Sequence, residues 1–263
     1  MLPVRAAGFA FDNAAQPAYD DGWQTGDNGG TGWGGGWTFE TGATGQGGSF
    51  VWTSTQNGFG SDPGNDGDID TGGRAWGLWW SGGQTLQSAF IAAERPFDGA
   101  LSVGQTFRID LDNGLVAYHY RDANGWVGFS LIHADGSAGF SFSFWGGNQY
   151  YGVNDFIPPG NTTVPFTDQG LRLEFTLTSA ESFSLTIDGI GNDGPAGLPV
   201  TCTGSIFGEL VGVRVFHHNA GFGSAADSFT NNIAIIPEPS TAVLVVLALA
   251  AFPLARATFS VRP

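Results

Sequence analysis

Hydrophobic and polar residues alternate with a period of two along much of the chain. The alternation is clearest over residues 171–177, and it returns over residues 183–187 after a short turn. Successive side chains of a β-strand point to opposite faces, so this pattern predicts strands with one buried and one solvated face. The two segments are predicted to form a hairpin.

Comparable patterns predict strands elsewhere in the chain. They cover residues 37–39, 49–52, 75–80, 88–93, 107–111, 116–120, 127–131, 140–144, 211–215 and 233–236. The turn residues Asp112, Asn113 and Gly114 predict a second hairpin, between segments 107–111 and 116–120. A dozen such strands in one domain predict two packed antiparallel sheets. Their order and length resemble a concanavalin-like jelly roll. The prediction is an all-β, lectin-like sandwich, followed by a short C-terminal hydrophobic helix.

The composition divides the chain into three parts. Residues 1–36 are rich in glycine and loop signals, residues 37–236 carry the alternation, and residues 237–263 form a separate tail. An exported protein is expected to begin with a signal peptide, but Arg5 interrupts the apolar residues of the first segment. We therefore expect the natural start to lie upstream of Met1.

The tail contains an uninterrupted apolar run. Residues 242–255 carry no charge, and Arg256 and Arg262 follow them. This run is shorter than the ~20 residues that a full helical span needs. Arginines at one end of an apolar segment favour the cytoplasmic side of a membrane. The pattern predicts a short membrane anchor whose N-terminal side lies outside the cytoplasm.

Pro237, Glu238 and Pro239 stand directly before this run, and Arg256 closes it. Together these residues resemble the PEP-CTERM sorting signal of Gram-negative bacteria, whose segment is also called an ice-binding protein C-terminal domain. The resemblance implies recognition by exosortase, anchoring in the inner membrane before processing, and transfer to the cell surface or the extracellular matrix. The family clusters its arginines, whereas Arg256 and Arg262 are separated here. A plain tail anchor that no enzyme recognises is the alternative.

The charge and the cysteine content narrow the classes of function. The net charge is -15 and the sequence pI is about 4.2. A chain this acidic does not bind the phosphate backbone of nucleic acid, and nucleic acid is therefore excluded as a partner. Cys202 is the single cysteine. It rules out an internal disulfide, and its strand-like surroundings predict a small hydrophobic side chain in the sheet.

Jelly-roll folds often support glycoside hydrolysis, a reaction that needs two carboxylates at a fixed separation. The laminarinase-type glucanases carry Glu-x-Asp-x-x-Glu on one strand, and no glutamate of this chain begins that motif. A different pair of carboxylates, brought together only by the fold, remains open. The sequence contains no nucleophile elbow and no phosphate loop, and its glycine runs follow no strand-to-helix transition, which a dinucleotide fingerprint requires.

An acidic, glycine-rich loop is a candidate cation site. Asp66, Asp68 and Asp70 alternate with other residues there, and carboxylate oxygens are the ligands that Ca²⁺ prefers. The loop does not follow the EF-hand pattern, and a solvated acidic turn is the favoured interpretation. The adjacent His217 and His218 are expected to point to opposite faces of a strand, so a structural role is favoured over a shared metal.

The tryptophans give the best indication of a ligand surface. Trp79, Trp80, Trp126 and Trp145 are the candidates, because indole rings stack on sugars. Of the adjacent pair Trp79 and Trp80, one is expected to face outward. Core packing is the alternative for each of them.

These observations lead to one main interpretation and two alternatives. The sequence predicts a non-catalytic protein of the cell surface or extracellular matrix, sorted by exosortase, that binds polysaccharide through exposed aromatic rings. A carbohydrate-active enzyme is the first alternative. Adsorption to ice or another surface ranks last, because the sequence lacks the regular threonine repeats that such a function needs.

Overall fold

A computed structural model describes residues 7–56, 68–82, 89–118, 124–154, 162–191 and 197–238. Fourteen strands are assigned within these ranges. They are β1 Ala10–Asp12, β2 Thr38–Thr41, β3 Gln46–Trp52, β4 Ala75–Ser81, β5 Phe90–Pro96, β6 Thr106–Asn113, β7 Trp126–Ile132, β8 Ala138–Trp145, β9 Gly152–Val153, β10 Leu171–Ser179, β11 Ser182–Gly189, β12 Val200–Ser205, β13 Gly212–His218 and β14 Ser228–Ile236. Single 3-10 turns lie at Pro17–Tyr19, Ser54–Gln56 and Ser224–Ala226.

The strands form two antiparallel sheets that pack face to face. The eight-stranded sheet has the order β12-β11-β10-β6-β14-β4-β3, and β1 joins it by pairing with β14. The six-stranded sheet has the order β2-β5-β13-β7-β8-β9. The all-β, jelly-roll sandwich predicted from the sequence is confirmed.

Aromatic side chains join the two sheets across the core. Phe140 of β8 contacts Phe175 of β10 with ring centroids 4.7 Å apart, and it also contacts Phe183 of β11 at 5.1 Å. All three rings are buried. Each ring occupies an inward-facing position of its own strand, as the period of two in the sequence predicts.

The clearest predicted hairpin is confirmed. Strands β10 and β11 pair from Leu171 opposite Gly189 to Ser179 opposite Ser182. Residues with apolar side chains in both strands face the core, and their polar neighbours face outward. Each strand carries its own alternation and the turn is short, so local sequence was sufficient to predict this pair.

The second predicted hairpin, at residues 112–114, is wrong. Strand β6 continues through Asn113, whose side-chain oxygen accepts a hydrogen bond from the Tyr151 hydroxyl at 2.5 Å. β6 already has β10 on one side and β14 on the other. Residues 114–118 therefore have no free edge beside β6, and Gly114 N–H donates to Asp227 O instead, at 3.0 Å.

The N-terminal part of the chain packs into the sandwich. Strand β1 pairs with the second half of β14, and Trp23 and Trp37 are buried in the same core cluster as the sheets. The described part of the predicted 1–36 segment, residues 7–36, thus contributes one strand and several core side chains to the domain.

A buried ion pair fixes this N-terminal segment to β5. Arg95 donates to the carboxylate of Asp12, and both side chains are fully buried. The guanidinium also donates to Asn28 Oδ1 at 2.7 Å and lies over the ring of Trp33, 4.7 Å from its centroid. Tyr19 donates from its hydroxyl to the same carboxylate. Each member of the cluster thus has several polar or ring contacts.

The last described residues lead out of the sandwich. Strand β14 ends at Ile236, and Pro237 and Glu238 are exposed. Pro239, Arg256 and the apolar run lie outside the described residues, as does the predicted C-terminal helix. Among the residues that the structure describes, no helix is long and apolar enough to cross a membrane.

Candidate functional site

The outer face of the six-stranded sheet carries a row of four rings. The antiparallel register places one ring from each of four adjacent strands directly opposite the next. In order across the sheet they are Phe90, His218, Trp126 and Trp145, and we call them the aromatic row. The residues next to them in sequence, such as Val127, point into the core. All four rings are partly exposed.

The rings of the aromatic row stack face to face. The centroids of Phe90 and His218 are 4.9 Å apart, those of His218 and Trp126 4.3 Å, and those of Trp126 and Trp145 5.0 Å, with interplanar angles between 7° and 16°. Side chains directly opposite each other in antiparallel strands lie about 5 Å apart, which matches this stacking distance. The result is a continuous apolar strip across β5, β13, β7 and β8.

Mostly small side chains form a second row beside the strip. The register aligns Ala92, Phe216, Gly128 and Ser143, with Glu40 of β2 at one end. The Phe216 ring meets Trp126 edge-on at 4.7 Å. Because its other members are small, this row forms a trough along the aromatic row.

A third row is polar. Arg214 Nε donates to Glu94 Oε1 at 2.5 Å, and a second nitrogen of the guanidinium contacts the same oxygen. Farther along the row, the Ser130 and Ser141 hydroxyls lie 2.8 Å apart. The guanidinium fixes the orientation of the Glu94 carboxylate within this row.

The three rows enclose a cavity of about 360 Å³ on the outer face of the sheet. Its lining combines the apolar rings with the charged groups of the polar wall. The lining residues are Glu40, Phe90, Ala92, Trp126, Ser130, Ala138, Arg214, Phe216 and His218. Ring surfaces next to a few oriented polar groups are typical of ligand sites.

Two carboxylates lie on this face, on neighbouring strands. Glu40 is opposite Ala92, two residues from Glu94, so the two glutamates are diagonal neighbours of an antiparallel pair. The Cα atoms of such neighbours are roughly 7–8 Å apart. Glu40 is exposed on the edge strand, whereas Glu94 is half-buried beside Arg214. The fold therefore makes neighbours of two carboxylates that no sequence motif indicated.

Two further rings lie on loops that follow directly from the aromatic row. Tyr118 and Phe222 expose 63% and 53% of their surface. Ala117 N–H donates to Ala220 O at 2.6 Å, and Gly125 N–H donates to Ala117 O at 2.8 Å. These bonds connect the two loops to the start of β7, next to Trp126. The two exposed rings therefore belong to loops that lie beside the aromatic row.

The structure separates the four tryptophans that the sequence singled out. Trp126 and Trp145 stack on each other in the aromatic row. Trp79 and Trp80 belong to β4 in the other sheet, where Trp79 is partly exposed and Trp80 is buried in the core. The expectation that one of this pair faces outward is confirmed, and the ligand-binding assignment of Trp80 is wrong because its ring packs between the sheets.

Asp68 and Asp70 of the acidic loop do not line this cavity. Asp70 Oδ1 accepts the Ser54 N–H at 3.0 Å, Asp68 lies beside Gly191, and Asp66 is outside the described residues. The described ranges contain no group of three or more His, Cys, Asp or Glu side chains arranged to hold a metal ion.

The two histidines do point to opposite faces. His217 is buried in the core, and burial, with a smaller effect of the neighbouring His218, lowers its pKa to about 3. Its Nδ1 lies 3.1 Å from the Ser228 hydroxyl. His218 is instead a member of the aromatic row, which the structural interpretation of the pair did not anticipate.

Comparisons with known proteins find the architecture but no family. No protein-family model matches the sequence, and no curated protein matches it. Solved structures of similar architecture include the T. cruzi calreticulin globular domain, with a TM-score of 0.44, 10% identity, and coverage of 80% of this chain and 87% of that one. The catalytic domain of a glycoside hydrolase family 131 protein from Coprinopsis cinerea has a TM-score of 0.44, 11% identity, and coverage of 77% and 84%.

An endo-1,3-beta-glucanase from Streptomyces sioyaensis has a TM-score of 0.41 at 12% identity, with coverage of 76% of this chain and 89% of that one. These values describe a shared sandwich architecture. The expectation that the chain is not an enzyme is contradicted: a glycoside hydrolase, an endo-1,3-beta-glucanase, an alginate lyase and a carbohydrate esterase are among the similar structures.

Proposed function

We propose that the cavity on the outer face of the six-stranded sheet, which we call the groove, binds a polysaccharide chain, and that the protein hydrolyses a glycosidic bond in that chain. The observation that carries the proposal is the aromatic row beside the diagonal carboxylates Glu40 and Glu94. Glycoside hydrolysis needs two carboxyl groups on either side of the bond that is cleaved. Sugar rings need apolar surface with a few oriented polar groups. This groove offers both.

The geometry suggests a role for each carboxyl group. Arg214 holds one oxygen of Glu94, which suits that carboxylate to act as the base that removes a proton from an attacking water. Glu40, on the exposed edge strand, donates a proton to the departing sugar oxygen. The water oxygen bonds to the anomeric carbon as the glycosidic bond breaks. This is the inverting reaction, in which a water molecule stands between the two carboxyl groups.

The test is a reducing-end assay of the purified full chain on laminarin, xylan, cellulose and alginate. We expect Glu40→Gln and Glu94→Gln to lower turnover by at least ~100-fold while binding is retained. Glu174→Gln is the matched control, because Glu174 forms a comparable half-exposed pair with Arg108 on the other sheet. The control should keep full turnover.

Binding is measured separately, by isothermal titration with the polysaccharide that is cleaved. Trp126→Ala should weaken binding about tenfold or more, because it interrupts the ring stack at its centre. If none of the four polysaccharides is cleaved, or if Glu174→Gln loses as much activity as Glu94→Gln, hydrolysis at this groove is ruled out.

We also propose that the chain is exported and sorted through Pro237, Glu238 and Pro239. In support of this, β14 ends at Ile236, and the two described residues of the motif are exposed beyond the sandwich, where a processing enzyme can reach them. The segment after them is proposed to anchor the chain in the inner membrane until exosortase acts.

The sorting proposal is tested by expressing the wild type and a variant with all three motif residues changed to alanine, in a host that carries exosortase. The masses of the chains in the membrane and in the medium are then compared. A shortened wild type beside an unprocessed, membrane-retained variant supports sorting. Equal masses and locations would reduce the tail to a plain anchor.

A further inference from the structure

Strand β12 is an edge strand that lacks the usual protection against pairing with another chain. In the part of the chain that the structure describes, β12 pairs with β11 and with no other strand. Proteins usually protect such edges with charged side chains, prolines or very short strands. Strand β12 is six residues long, Val200–Ser205, and contains neither a charge nor a proline.

The other sheet edges differ from β12. Strand β2 carries Glu40, and β9 is two residues long. Strand β3 has two adjacent glycines, Gly47 and Gly48, near its start, whereas β12 has one, Gly204; glycines weaken a strand for pairing. Strand β12 is therefore the edge best suited to accept another strand.

The hydrogen-bond pattern shows which backbone groups of β12 face the open side. Ile206 N–H donates to Glu181 O at 3.0 Å, and this pair continues the register of Ser205 opposite Ser182. Hydrogen-bonded and non-hydrogen-bonded pairs alternate in an antiparallel ladder. Thr201, Thr203 and Ser205 thus direct their N–H and C=O groups away from β11, toward the open edge.

We infer that β12 pairs antiparallel with β12 of a second copy of this chain, with a two-fold axis at Cys202. In this register Thr201 lies opposite Thr203 of the other copy, and both residues expose backbone groups that can bond. Threonine pairs across strands are favourable. Each copy has a net charge of -15, and a charge-free strand is where two such chains can approach.

The two-fold register brings the two Cys202 residues directly opposite each other. They form a non-hydrogen-bonded pair, in which Cα atoms are about 4.5 Å apart, within the range that a disulfide spans. Burial raises the pKa of the Cys202 thiol, so little thiolate forms at neutral pH, and cross-linking needs a higher pH as well as an added oxidant. Cross-linking therefore reports the register of the dimer.

The first experiment measures the mass of the full chain in mild detergent, by light scattering over a range of concentrations. The wild type should be a dimer. Thr203→Pro should be a monomer that still unfolds cooperatively, because the N–H that proline removes faces the open edge and not β11. Thr186→Lys is the matched control: it places a charge on the same outer face, but on β11, and should remain a dimer.

The second experiment adds diamide at mildly alkaline pH. Two thiols lose two protons and two electrons to the diazene, which becomes a hydrazine, and a covalent dimer should appear on a non-reducing gel. Cys202→Ser should remain a dimer by light scattering but yield no covalent product. A monomeric wild type, a dimeric Thr203→Pro variant, or a dimer that diamide does not cross-link would overturn the inference.

Discussion

Asp12 and Arg95 form the most deeply buried charged pair among the described residues, and its members cannot be treated separately. Burial raises the pKa of the Asp12 carboxyl, while the charge of Arg95 and the hydrogen bond from Tyr19 act in the opposite direction. The carboxylate is thus kept in the core by its partners. Removal of one member leaves the other charge without compensation.

Asp12→Ala should lower the free energy of unfolding by roughly 3–5 kcal/mol, because Arg95 stays buried without its carboxylate. Asp20→Ala is the control, since Asp20 is 69% exposed in its pair with Arg74 and should change stability by less than ~1 kcal/mol. Urea unfolding at neutral pH measures both. Equal effects of the two substitutions would show that the buried pair does not support the fold.

Asp227 gives a prediction about pH. Burial raises the pKa of its carboxyl from 3.8 to about 7. Between these two values the folded state binds more protons at this group than the unfolded state, so its contribution to stability is present at low pH and is lost as the pH rises toward 7. Asp227→Asn should therefore stabilise the protein more at pH 8 than at pH 4.

Thermal unfolding of the wild type and Asp227→Asn at the two pH values checks this. Asp135→Asn serves as the control. The Asp135 carboxyl is exposed, and hydrogen bonds from Ser137 lower its pKa, whereas burial raises that of Asp227. A gain from Asp227→Asn that does not depend on pH would contradict the argument.

At the scale of elements, the groove depends on how closely β7 approaches β8. Gly128 of β7 has a φ of 153°, and a Cβ there would lie 2.1 Å from the Phe142 carbonyl oxygen. Gly128 also belongs to the trough beside the aromatic row. The stacking of Trp126 on Trp145 thus relies on a glycine two residues away.

Gly128→Ala should cost on the order of 1–3 kcal/mol in unfolding free energy and should weaken polysaccharide binding at the groove. Gly8→Ala is the control, because the space around a Cβ at Gly8 is open among the described residues. Unfolding curves and binding isotherms are to be compared. If Gly128→Ala left the free energy of unfolding unchanged, β7 and β8 could move apart without a loss of stability.

The sequence predicted individual strands better than it predicted which strands pair with each other. The hairpin of β10 and β11 followed from local alternation, whereas the turn at Asn113 could not reveal that both sides of β6 were taken by strands distant in the chain. Trp126 and Trp145 were recognised by residue type. Phe90 and His218 were not, because their rings meet only through the pairing of β5 with β13.

The same limit applies to the carboxylates. Glu40 and Glu94 are separated by more than fifty positions in the chain, and only the pairing of β2 with β5 makes them neighbours. A motif search examines spacing along the chain and cannot detect them. Alternation within each strand does place both on the outer face, so a correct strand order would have been enough to find the pair.

At the scale of the whole molecule, the excess of acidic groups opposes compactness. With 24 Asp and Glu residues against nine Arg, like charges repel one another across the surface at neutral pH. Screening by salt weakens this repulsion.

The unfolding midpoint should therefore rise by a few degrees when NaCl is added at pH 7, and should change little near pH 4.2, where the net charge is close to zero. The measurement is best made on Thr203→Pro, so that association between copies does not contribute. A midpoint that responds equally to salt at both pH values would show that another effect of the ions is responsible.

Strand β14 has a consequence for how the molecule is built during synthesis. Residues 228–236 lie in the middle of the eight-stranded sheet, between β6 on one side and β4 and β1 on the other. Until this strand leaves the ribosome, β4 and β6 lack their shared neighbour, and their unpaired backbone groups are open to wrong partners. The sandwich therefore closes only after residues 228–236 have been made, and the strands made earlier must wait for them.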